Sequence, residues 1–133
     1  MKLLIVESLG FASHVKNKVT QHCPDKFEDI IETDSFDHAL TILPREGDVC
    51  VVASWEFHDK SSRHRNTVPQ TLPDREKNGD ILACAMKELN PNVRFISYSK
   101  SVPQTKFVDH YVSKGKEEWS EEMKSLLKIL KRI

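Results

Sequence analysis

The chain has 133 residues, a single-domain length that can close one hydrophobic core without metals or disulfides. Lys and Arg together number 20 and so do Asp and Glu, so no overall field recruits nucleic acid or an anionic membrane, although a local basic patch stays open. The three cysteines, Cys23, Cys50 and Cys84, form an odd set without CxxC spacing; reduced thiols are expected, not a disulfide framework.

The opening MKLLIVESLG is apolar over too short a stretch for a signal peptide or a membrane span, and acidic Glu7 follows at once, which leads to the expectation of a cytoplasmic protein. Lys2 to Ser8 reads as a first buried strand. Phe11, Val15 and Val19 then recur every four residues, a helical spacing that Pro24 and Asp25 end. FEDIIET supplies a short second strand around Ile30 and Ile31. In DSFDHALTIL, Asp34 or Ser35 is the expected N-cap of a helix with Phe36, Ala39, Leu40 and Leu43 on one face, and Pro44 stops it. Val49 to Val52 form a continuous apolar run suited to a strand covered on both faces. Open parallel sheets carry their chemistry at the carboxyl ends of such strands, and here those positions hold Ala53, Ser54 and Trp55.

His58 to Asn78 has few apolar residues, two prolines and no period, and is expected to be a long loop. Helical spacing returns with Ile81, Leu82, Ala85, Met86 and Leu89 until Asn90-Pro91. VRFISYS is a fourth strand, KSVPQTKF is too short and too broken by Pro103 for more than a short helix, and VDHYVSK is a fifth strand. The last helix carries Trp119, Met123, Leu126, Leu127 and Leu130 on one stripe, with its acids first and its bases last as the helix dipole favours. Strands alternating with helices imply one α/β domain over residues 1–133, with residues 58–78 as a loop insertion.

Four stretches in this order resemble the receiver domain of two-component response regulators, the flavodoxin-like, CheY-like class. LLIVES resembles the acidic end of the first strand, and GDVCVVAS the third strand that normally bears the phosphoacceptor aspartate. NGDILACAMKELNP is similar to the third helix with its entry loop, and VDHYVSKG to the fifth strand with its switch aromatic and lysine. The resemblance implies a doubly wound five-stranded parallel sheet in the order 2-1-3-4-5, with a long loop after strand 3 and a short fourth helix. It puts Glu7 and Ser8 where two metal-holding acids usually stand, Ala53 on the acceptor position, Ser97 on the hydroxyl position, Tyr111 on the switch aromatic and Lys114 on the paired lysine. Gly115 replaces the usual proline. The surface from Tyr98 to Lys114 with the final helix, including Lys100, His110 and Trp119, would be the partner face.

The departures from that pattern set the functional expectation. A receiver is phosphorylated because an aspartate attacks phosphorus while Mg²⁺ neutralises the transferring oxygens. Alanine cannot attack, and Ser8 leaves Glu7 as the one obvious carboxylate of a metal site. The expectation is a pseudo-receiver without phosphorylation, metal or cofactor. It would act as an interaction module for a signalling protein, or for a second copy through the final helix, with neither nucleic acid nor membrane as partner. A shifted register would make the chain a conventional receiver whose acceptor is displaced to Ser54, Glu56 or Asp59. Glu7 with Asp74-Arg75-Glu76 also resembles the Toprim domain of Mg²⁺-dependent topoisomerases and nucleases, but Leu72 stands where that motif needs its first aspartate. The basic residues of the loop, Lys60, Arg63, Arg65, Arg75 and Lys77, read either as a solvated insertion or as a contact arm for an acidic partner.

Overall fold

The structure, a computed structural model, describes residues 1–114 and 120–133. Five strands, β1 (Lys2–Val6), β2 (Asp29–Thr33), β3 (Val49–Ala53), β4 (Val93–Ser99) and β5 (His110–Ser113), alternate with α1 (Leu9–His22), α2 (Phe36–Ile42), α3 (Gly79–Leu89) and α4 (Glu121–Arg132). The strands form one all-parallel sheet in the order β2-β1-β3-β4-β5. This is the flavodoxin-like α/β arrangement expected of the sequence.

The continuous apolar run of β3 is explained by helices on both faces of the sheet. Cys50 and Val52 join Leu3, Ile5, Ile96 and Tyr98 beneath α1 and α4, where Val15, Val19, Met123, Leu126 and Leu130 close one core. Val49, Val51 and Ala53 point the other way with Leu4, Val6 and Phe95, under Phe36, Leu40, Leu82 and Met86 of α2 and α3. The N-cap of α2 is Ser35, not Asp34: Ser35 Oγ accepts the His38 backbone N–H at 3.0 Å.

Three expectations need correction. No helix forms between β4 and β5; residues 100–109 run as a loop, which matches the lost donor and fixed φ of Pro103. On α3 the buried residues are Gly79, Leu82, Ala83 and Met86, while Ile81 and Leu89 are exposed. The cause is a close approach: a Cβ on Gly79 would lie 2.8 Å from Trp55 Cα, so the small-residue face of α3 turns toward the end of β3. The 58–78 loop, finally, is not a loose solvated insertion. It contains 3-10 turns at Ser61–His64 and Asp74–Glu76 and is tied to α2 by buried polar groups.

Candidate functional site

The carboxyl ends of β1, β3, β4 and β5 share one edge of the sheet. The strand register aligns Val6 with Ala53, Ala53 with Ser97, and Ser97 with Tyr111. Glu7 and Lys114 stand just beyond that row and their charges meet: Lys114 Nζ donates to Glu7 Oε2 at 2.8 Å. Glu7 Oε1 accepts the Ser8 backbone N–H at 2.8 Å. The Lys114 ammonium also lies 4.0 Å from the centre of the Phe11 ring, close enough for a cation–π attraction. Phe11 packs in turn on Tyr98, with ring centres 5.8 Å apart. The cation is therefore held by a carboxylate and an aromatic face that both come from the β1–α1 segment.

The end of β3 contributes no reactive group. Ala53 is 1% exposed and belongs to the apolar cluster beneath α2 and α3. The recess walled by Glu7, Phe11, Ala53, Ser54 and Tyr98 has no room for a water molecule. Ser54 Oγ is buried there with no hydrogen-bond partner among the described residues. Ser97 is buried too, and its hydroxyl faces Ser99 Oγ at 3.3 Å, not Lys114. Ser8 sits at the N-cap of α1 without a side-chain capping bond. The sequence-predicted residues Glu7, Ser8, Ala53, Ser97 and Lys114 thus share one end of the sheet, but only Glu7 and Lys114 are bonded through their side chains. No carboxylate at the end of β3 is aimed at an incoming phosphoryl group.

The two acids of a shifted register are engaged elsewhere. Glu56 Oε1 accepts the Lys100 backbone N–H at 2.7 Å. Asp59 Oδ1 accepts from Phe36 N, Ser61 N and Ser61 Oγ at 3.0, 2.9 and 2.7 Å. For the Toprim pattern, Asp74 and Glu76 lie on a 3-10 turn, not at a strand end. Among the described residues no three His, Cys, Asp or Glu side chains are grouped to hold a metal ion.

The expected partner face is altered. Tyr98 is 2% exposed and is a core residue packed on Phe11, so it cannot be part of a docking surface. Lys100 and His110 are exposed. Tyr111 is 37% exposed and its hydroxyl donates to the Ser99 carbonyl at 3.2 Å. Trp119 and Gly115 lie outside the described residues.

A second polar cluster, which the sequence reading missed, fastens the long loop. Lys77 Nζ reaches Asp37 Oδ2 at 2.6 Å, Asp74 Oδ1 at 3.1 Å and Asp59 Oδ2 at 3.8 Å. Asp37 Oδ1 accepts from Thr71 N at 2.8 Å and from Thr71 Oγ1. Ser61 Oγ accepts the Asp37 backbone N–H at 3.1 Å and pairs with Ser35 Oγ at 2.9 Å. Burial opposes charge on both Asp37 and Lys77, but their mutual bond and charge, with Thr71 for Asp37 and Asp74 and Asp59 for Lys77, outweigh it. Asp37 is held below the ordinary carboxylate range and Lys77 above the ordinary lysine value. The one local hint in the sequence was two acids and a lysine close to helix starts, a pattern too common to single out.

Two of the three thiols are buried and disfavoured as thiolates. Burial pushes Cys50 up to about 12 and raises Cys23 as well, as desolvation disfavours a thiolate. The chain matches no protein-family model and no curated protein.

Proposed function

We propose that the chain is a non-phosphorylatable pseudo-receiver, a cytoplasmic module that works by binding another protein in signalling or regulation. The observation that carries this reading is Ala53 at the end of β3, in register between Val6 and Ser97, with Lys114 committed to Glu7. A phosphoryl-accepting site needs a nucleophile at that strand end and a cation free to meet the new charge. Here the nucleophile is a methyl group, and the lysine already has a carboxylate and an aromatic ring. Phe11 and Tyr98 wall the recess beside Glu7 and Ala53, which has no room for a water molecule and so none for a hydrated metal. The fold agrees with the receiver topology, and among the described residues no helix is long and apolar enough to cross a membrane. Without a covalent switch, such a module signals through its surface.

The test is incubation with acetyl phosphate and Mg²⁺, followed by intact mass and amide spectra with a beryllofluoride mimic. The expected result is an unchanged mass and unshifted spectra. A stoichiometric, base-labile gain of one phosphoryl group would overturn the proposal and point to a displaced acceptor.

A further inference from the structure

The long loop returns to one short stretch of chain. Its hydrogen bonds to the body of sheet and helices fall on residues 34–37, the turn that starts α2. At its near end the Lys60 backbone N–H donates to the Asp34 carbonyl at 2.7 Å, Asp59 Oδ1 accepts the Phe36 N–H at 3.0 Å, and Ser61 Oγ accepts the Asp37 N–H at 3.1 Å. At its far end Thr71 N and Lys77 Nζ donate to the Asp37 carboxylate at 2.8 and 2.6 Å. Asp37 is therefore gripped from both ends, by its backbone at one and its side chain at the other.

Apolar contacts hold the same segment far less firmly. None of residues 58–77 belongs to the buried set of either core cluster, so the sheet and α1–α4 close both cores without it. Leu72 is half-buried against the α2–α3 cluster, Val68 is buried outside both clusters, and Ser62, Arg63, Arg65, Asn66 and Thr67 face solvent. A segment with polar attachments and few buried apolar contacts opens at a lower free energy than the fold as a whole. Lifting it also carries Asp37 and Lys77 into water together, so neither charge is left buried and alone.

We infer that residues 58–77 form a strap that opens as one unit, with Asp37 as its latch, while the sheet stays folded. Opening frees the first backbone N–H groups of α2 and withdraws Thr71 from the rim of the recess between α2 and α3, where Leu40, Ala85 and Leu89 also stand. The closed and open chains thus present different surfaces around α2. This is a two-state element that requires no phosphoryl group.

The test is amide hydrogen exchange on the whole chain, read residue by residue by nuclear magnetic resonance at several low urea concentrations. Four amides bonded across the contact report on the strap: Lys60 and Thr71 within it, Phe36 and Asp37 beneath it. They should share one opening free energy, smaller and less dependent on urea than that of the β3 amides. Asp37→Asn and Lys77→Met, which each strand a charge in the closed state, should speed exchange at all four positions by about a hundredfold or more. Exchange of the four amides at the β3 free energy would mean that the strap leaves only with the whole fold. Different free energies at Lys60 and Thr71 would mean that its ends open separately, and unchanged rates in both variants would remove Asp37 as the latch. Each of these results would overturn the inference. The first two are read on the parent, so they decide the matter even where a variant does not fold. A chain that takes up a phosphoryl group yet shows this opening loses the pseudo-receiver reading and keeps the strap.

Discussion

Lys77 Nζ lies 2.6 Å from Asp37 Oδ2, and the two side chains are 1% and 0% exposed, so the long loop is joined to α2 through an ion pair sealed from water. Such a pair is costly to desolvate, and breaking it by removing one partner leaves an uncompensated buried charge. Lys77→Met and Asp37→Asn should each destabilise the fold by about 3 to 5 kcal/mol, measured by urea unfolding. Asp37→Asn with Lys77→Met should cost clearly less than the sum of the single losses, since neither charge is then stranded. Additive losses would mean the pair is not energetically coupled.

The same pair sets a pH window. Asp37 is held below the unfolded value of about 3.9, so its contribution is present above that pH and is lost as pH falls through its depressed folded value. Lys77 is raised above about 10.4, so its contribution is complete below that pH and fades as pH rises through the raised value. The gap in urea midpoint between parent and Asp37→Asn should be constant near neutrality and narrow only in acid below the ordinary carboxylate range. A gap that closes between pH 5 and 7 would contradict this assignment.

How much of this was legible in the sequence depends on how local each cause is. The strand order followed from the alternation of elements and the receiver-like motifs, and the run Val49 to Val52 announced a strand covered on both faces because both pleat directions are apolar. The Glu7–Lys114 pair followed from the receiver resemblance, which leaves Lys114 facing Glu7 once the acceptor position is Ala53. The Asp37–Lys77 bond was not, since forty positions separate the partners and no period connects them. The rotation of α3 was hidden for a related reason. Ile81 and Leu89 fit an apolar stripe, but the approach of Gly79 to Trp55 decides which face turns inward, and that is a backbone distance no side-chain pattern encodes.

That approach gives a third prediction. Gly79 begins α3, where alanine is ordinarily the better helix former. Here the added Cβ would stand 2.8 Å from Trp55 Cα and 3.2 Å from the Ser54 carbonyl oxygen, both backbone atoms that cannot swing aside. Gly79→Ala should therefore destabilise by about 1 to 3 kcal/mol, the usual range for overpacking. An exposed control on the same helix, Glu88→Ala, is expected to change little. A stabilised Gly79→Ala variant in thermal melts would show that α3 does not rest on the end of β3.

The last prediction concerns rebuilding the missing carboxylates with Ala53→Asp and Ser8→Asp. Ala53 sits in an apolar cluster with Val6, Val51 and Phe95, and the adjoining recess is too tight for water. A carboxylate there enters beside Glu7, whose one cation, Lys114, is already bonded. Like charges raise the pKa of at least one of the three acids, and burial adds to the cost, so the double variant should be less stable than the parent by about 3 to 5 kcal/mol. Mg²⁺ can offset the repulsion by mass action only if it finds room for itself and several waters. Phe11 is one wall of that recess, and its ring also faces Lys114. Adding Phe11→Ala should open the recess, so that millimolar Mg²⁺ raises the melting temperature of the triple variant more than that of the double, and of the double more than that of the parent. Equal responses in all three proteins would mean that Glu7, Ser8 and Ala53 do not bound a common space, and the account of this strand end as a filled receiver pocket would fall with them.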